Sequence, residues 1–171
     1  MLSQRLLTAA IGIPLVGLVV WLGSYWFLLS VAVIAMLGTW ELHKLTSPMF
    51  TIPPLSMSLG IVIGLTLSSN WSDQHLLLAI GIAIFATLTW HIVQKICTKL
   101  YRFHLVSLAG PFIIGVPLSF AVLVRDTVDG REWLLAAILI TFSIDTAAYS
   151  VGRLIGRRKI APRISPGKTW E

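Results

Sequence analysis

Apolar residues in this chain come in long blocks separated by short polar breaks, and each block can be tested by length. A helix needs roughly 20 residues to cross a hydrocarbon core about 30 Å thick, with about 17 to 25 tolerated. By that measure the chain is expected to be an all-α, polytopic integral membrane protein with about six transmembrane helices. The predicted spans are Leu6 to Leu22, Tyr25 to Leu42, Ile52 to Ser69, His75 to Gln94, Leu105 to Val124 and Trp133 to Val151. Gly23 and Ser24 leave so little chain between the first two that they are expected to form a helical hairpin. Pro53 and Pro54 suit a first turn, where a missing amide donor does no harm, and Ser72 or Asp73 can cap the fourth helix. Pro14, Pro111 and Pro117 fall inside spans and predict kinks.

Composition agrees about the solvent. The chain is 56% hydrophobic and 12% charged, with a mean hydropathy of +0.86, so it lacks the polar surface that a water-soluble domain of 171 residues needs. One transmembrane domain over residues 1–152 and a basic cytoplasmic loop over 153–171 is the simplest division. The lone Cys97 excludes an intramolecular disulfide and a thiolate cluster within one chain.

Charge then orients the spans. With both termini on one side, that side receives Arg5, Lys44, Lys95, Lys99, Arg102, Arg153, Arg157, Arg158, Lys159, Arg163 and Lys168, leaving Arg125 and Arg131 opposite. The positive-inside rule therefore predicts N-in and C-in. Trp21, Trp26, Trp71 and Trp133 fall at outer ends and Trp40 and Trp90 at inner ends, as an aromatic belt requires. The first block runs directly into the second, which reads as an uncleaved anchor rather than a signal peptide.

Candidate chemistry is concentrated after residue 143. A carboxylate within a span is costly, so Asp145 is a functional candidate, set against a protonated or hydrogen-bonded Asp that merely ties two helices together. Asp145, Tyr149 and Arg153 recur every four residues and share a helix face, beside a ridge of Ala148, Gly152 and Gly156. Asp145 and Arg153 are on the order of 12 Å apart along a straight helix, too far for a direct ion pair. Basic residues past a span also serve orientation and attract anionic lipid. The order Ala161, Pro162, Arg163, Ile164, Ser165, Pro166, Gly167, Lys168, Thr169 goes beyond that. Two prolines stiffen a loop, Gly167 permits close backbone approach, and Ser165, Lys168 and Thr169 offer donors to phosphate oxygens. It is not a Walker loop, because Pro162 stands where that pattern needs glycine and no strand precedes it. The four histidines, at 43, 75, 91 and 104, lack metal-ligand spacing and read as interfacial or packing residues, and Glu41 reads as a helix-end residue.

The run DTAAYSVGRLIGRRKIAPRISPGKTWE, Asp145 to Glu171, closely resembles the cytoplasmic-facing core of the phosphatidate cytidylyltransferase, or CDP-diacylglycerol synthase, family. RLLTAAIGIP, Arg5 to Pro14, and the Trp40 and Glu41 pair also fit that family's opening hairpin. Ala147 stands where the family usually has Gly or Ser, and Ser150 where it usually has an apolar residue.

The resemblance implies transfer of a cytidylyl group from CTP to phosphatidate, giving CDP-diacylglycerol and pyrophosphate in phospholipid biosynthesis. It implies Mg²⁺ or another divalent cation as cofactor, with Asp145 helping to hold it, Asp145 and Lys168 as catalytic residues, and Arg163, Ser165, Gly167, Thr169, Tyr149 and Arg153 binding substrate. The family continues past the Trp-Glu pair into further acidic, glycine-rich signatures. The resemblance therefore implies a truncated or fragmentary copy, inactive by itself. Expected partners are CTP, phosphatidate and membrane lipids, with no nucleic acid and with a homodimer compatible. The expected location is the inner (plasma) membrane, multi-pass, with the catalytic loop on the cytoplasmic side. The alternative class is a small transporter or channel subunit that uses Asp145 as a proton or cation site, with Pro111, Gly115 and Pro117 shaping a path. A structural membrane protein without activity is the third.

Overall fold

A computed structural model describes residues 2–46, 55–97, 111–156, 159–161 and 165–170. Its helices are α1 (Leu2–Leu22), α2 (Ser24–Thr46), α3 (Leu55–Ser69) and α4 (Asp73–Cys97), then a π-helical turn (Pro111–Gly115) that continues into α5 (Val116–Arg125), and α6 (Gly130–Leu154). Two short strands follow, β1 (Lys159–Ala161) and β2 (Ser165–Thr169). The chain divides into two compact units, residues 1–131 and 132–171.

Among the described residues, three helices are long and apolar enough to cross a membrane, over Tyr25–Leu45, Asp73–Trp90 and Gly130–Leu154. Three shorter apolar helices cover Gly12–Leu22, Leu55–Ser69 and Pro111–Arg125. Within the first unit α3 is the hub, packing on α2, α4, α5 and the π turn, and Val62 and Leu65 are fully enclosed. On α2 the residues Phe27, Leu28, Val31, Ala35 and Thr39 are buried at helical spacing, while Leu29, Val33, Leu37 and Trp40 face outward. Leu77, Leu78, Ile82 and Phe85 are likewise exposed on α4. Water would penalise such a surface, whereas acyl chains are as apolar as leucine and do not.

The interior, conversely, holds hydroxyls. Thr66, Ser69, Thr87 and Ser119 are buried and donate to carbonyls of their own helices, for instance Ser119 Oγ to the Gly115 oxygen at 2.8 Å. Thr39 differs: its Oγ1 is the buried side-chain atom without a partner among the described residues. Leaving a buried hydroxyl unpaired is unfavourable, so Thr39→Val is expected to stabilise the first unit by about 1 kcal/mol. Thr66→Val should not. Unfolding curves in mild detergent check this, and a lower midpoint for Thr39→Val would show that the hydroxyl is held after all.

The breaks between helices have identifiable causes. Gly23 alone separates α1 from α2, at a φ of 61°, the left-handed region that ends helices at glycine. Its N–H donates to the Val19 oxygen at 3.1 Å, and Arg125 Nε donates to the Val20 oxygen at 2.8 Å, so two carbonyls of the final turn of α1 are satisfied. A Cβ at Gly23 would run into the Arg125 guanidinium. Arg131 lies over the Trp21 ring, 4.5 Å from its centroid. Both arginines counted on the sparse side are therefore engaged at the end of α1.

Ser72 caps α4, accepting from the His75 N–H at 3.3 Å, and Asp73 accepts from the Gln74 N–H at 2.9 Å, so both expected capping residues contribute. Pro14 is inside α1 as expected. Pro111 opens the π turn, and Pro117 sits in the first turn of the helix that follows it. Pro117 has no N–H for the carbonyl of residue 113, and widening a turn is one way a helix absorbs that loss. Pro53 and Pro54 lie outside the described residues.

Candidate functional site

Asp145, Tyr149 and Arg153 all lie on α6, at the four-residue spacing that places them on one face, and all three are exposed. Arg153 Nη1 donates to the Tyr149 phenol oxygen at 3.0 Å, so the structure brings these two together. Asp145 is one turn further toward the start of the helix. Among the described residues, no group of three or more His, Cys, Asp or Glu side chains is placed to hold a metal ion. Asp145 would thus contribute a single carboxylate. That still fits Mg²⁺, which binds through one or two carboxylates together with substrate phosphates and water.

The basic segment after α6 is not an irregular loop. β1 and β2 pair antiparallel, with Lys159 opposite Thr169 and Ala161 opposite Ser165. Between those pairs β1 has Ile160 alone, whereas β2 has Pro166, Gly167 and Lys168, and the register shifts. The ladder is interrupted there as at a bulge, and its residues explain the interruption. Pro166 cannot donate to a ladder and is tolerated at bulges or edges, while Gly167 weakens regular strand structure. Bulges bend a strand and re-aim its side chains, which is why they recur beside active sites.

Ser165, Gly167, Lys168 and Thr169, chosen from residue type, therefore all fall on β2, with Gly167 and Lys168 inside its bulge. Arg163 lies outside the described residues. Lys159 is one of the six basic residues that follow Asp145 in the sequence. The hairpin register sets it opposite Thr169, beside the phosphate-suited sequence. The signal for this was weak, since a three-residue strand next to prolines scarcely differs from a loop. Taken together, the segment offers one carboxylate and a tyrosine–arginine pair on a helix, followed by a cationic bulged hairpin. Such groups can neutralise and orient phosphates.

Comparison with known proteins bears on the same segment. A family model described as the Cytidylyltransferase family matches residues 3–171. A phosphatidate cytidylyltransferase from Haemophilus influenzae is 31% identical, over 100% of this chain and 67% of the relative. One from Pseudomonas aeruginosa is 24% identical, over 100% and 65% respectively. One from Mycobacterium leprae is 25% identical, over 95% and 57%. The chain thus spans 57–67% of the length of these curated relatives. No solved structure matches.

Proposed function

The chain belongs to the cytidylyltransferase family, and from that premise we propose that it serves the transfer of a cytidylyl group from CTP to phosphatidate, giving CDP-diacylglycerol and pyrophosphate. One observation carries the reading: within the run that holds the resemblance, the described residues form a polar-faced helix end and, after it, a short antiparallel strand pair rich in polar and cationic residues. One substrate is a lipid and the other is water-soluble. A site where a span meets the aqueous phase suits both.

In this reaction an oxygen of the lipid phosphate attacks the α-phosphorus of CTP while the bond to the β-phosphate breaks and pyrophosphate leaves. Charge accumulates on phosphate oxygens, so the work of the protein is positioning and neutralisation. Asp145 is the residue that would hold Mg²⁺, and the ion supplies charge neutralisation when bound. Lys168 and Arg163 contact phosphates, Ser165 and Thr169 donate hydrogen bonds, and Gly167 lets the backbone approach. Arg153, paired with Tyr149, adds a cation where the span ends.

The proposed topology is six crossings with N-in and C-in. Arg125, at the end of α5, bonds the end of α1, as it would in a bundle whose alternate helices run the same way. The hairpin is then cytoplasmic, in the inner membrane.

Asp145 is the one carboxylate in the hairpin-proximal part of α6, and one carboxylate makes a poor site for two cations. The purified 171-residue chain is therefore expected to show no CTP-dependent turnover. Covalently joined to the part of the Haemophilus influenzae relative that lies outside the match, it is expected to incorporate labelled CTP into lipid. Turnover by the 171-residue chain would overturn the first expectation. Ion flux in vesicles, with no lipid labelling by the extended protein, would overturn the function.

A further inference from the structure

Arg153 is the basic residue of the last turn of α6, and its hydrogen bond is not the one that orientation alone calls for. A cation placed at a helix end to orient a span gains most by reaching forward into water or onto the final carbonyls of its own helix. Here Nη1 reaches back instead, to the Tyr149 phenol oxygen one turn earlier, at 3.0 Å. Helical side chains lean toward the N-terminus, so this bond carries the guanidinium toward the level of Asp145 on the same face. The guanidinium is therefore held back over the turn before its own Cα, rather than extended past the end of the helix.

Tyr149 is 41% exposed, and the exposed apolar residue on its own helix face is Phe142, two turns earlier, while Val151 and Leu154 are exposed on the opposite face. The ligand this setting suits has an anionic head and apolar tails. A guanidinium has five N–H donors in a planar fork, and the phenol occupies only one of them.

We propose that Tyr149 is a positioning residue: it holds the Arg153 guanidinium at the membrane boundary so that the remaining donors grip the phosphate monoester of the lipid substrate. This rests on the function proposed above and assigns the lipid half of that site, leaving the nucleotide half to the β1–β2 hairpin. The shared chemistry is a phosphate monoester, which a lipid headgroup or a nucleotide could present, and the two arms of the test separate them.

The full 171-residue chain is placed in phosphatidylcholine nanodiscs with or without phosphatidate, and headgroup binding is followed by phosphorus NMR. CTP binding with Mg²⁺ is followed by calorimetry. Tyr149→Phe keeps the ring and loses only the hydroxyl, so the helix face is preserved. It is expected to weaken phosphatidate binding about tenfold, the loss expected for one hydrogen bond to a charged group, with CTP binding unchanged. Arg153→Lys should fail to restore binding, because an ammonium lacks the planar fork that serves phenol and phosphate together. Unchanged phosphatidate affinity in Tyr149→Phe overturns the positioning role. Loss of CTP affinity alone assigns the pair to the nucleotide and overturns the lipid assignment. Wild-type chain that binds neither ligand overturns the proposed function itself, and this inference with it.

Discussion

Lys168→Ala, in the chain extended by the remaining third of a relative, is expected to lower CTP-dependent lipid labelling by about a hundredfold, the usual loss when one donor to a developing charge is removed. Insertion and folding should be unaffected. The residue belongs to the part of β2 where the ladder shifts register, beside Pro166 and Gly167. In a transfer dominated by electrostatics a lysine acts as a point charge on phosphate oxygens, and an alanine there has nothing to offer in exchange. Lys168→Arg should retain part of the rate. Labelling at the wild-type rate by Lys168→Ala protein, with normal membrane yield, would remove this residue from the chemistry and leave the hairpin as a surface anchor.

The largest structural effect is expected at Gly130, where α6 begins. Its N–H donates to the Thr127 oxygen at 3.0 Å, and it is buried in the short corner after α5. A Cβ at this position would press into the carbonyl oxygens of Val124 and Arg125, which are backbone atoms and cannot swing aside. At Gly23 the obstacle is the far end of an arginine side chain. Gly130→Ala must therefore displace the end of α5, and with it the Arg125 side chain that bonds the Val20 oxygen. A loss of about 3 kcal/mol is expected, at the upper end for overpacking. Gly60→Ala and Gly81→Ala, where nothing lies within 4 Å, serve as controls and should be nearly neutral. Detergent unfolding measures all three. Equal midpoints for Gly130→Ala and the controls would show that the corner yields to a methyl group at little cost.

Much of the helical framework was legible in the order of residues, for a reason that particular elements illustrate. The break at Gly23, the cap at Ser72 and the start of α6 near Trp133 are local matters, decided within one or two turns of chain. The π turn was only half legible. Pro111 and Pro117 announced a disturbed helix, but whether it would kink or widen depends on what packs beside it, and Gly115 is pressed against Val62 and Leu65 of α3.

The hairpin was not legible at all. Its pairing of Lys159 with Thr169 joins residues ten apart through a bulge that strand periodicity does not reveal. In the candidate site, residue types singled out Asp145, Tyr149, Arg153 and the β2 motif. Their four-residue spacing brought Tyr149 and Arg153 to one face, yet spacing could not say that the guanidinium turns back rather than forward.

The amino-acid order by itself determined the solvent of this protein, its helical character and the segment whose residue types suit phosphate. Hydropathy is a sum over neighbours in the chain, and backbone groups in hydrocarbon leave little choice but helix. Only the tertiary structure decided the partners of the polar groups. Arg125 on the end of α1, Arg131 on Trp21 and Lys159 beside Thr169 are relations across space, and hydrogen bonds or ring contacts form within a few ångströms irrespective of separation along the chain.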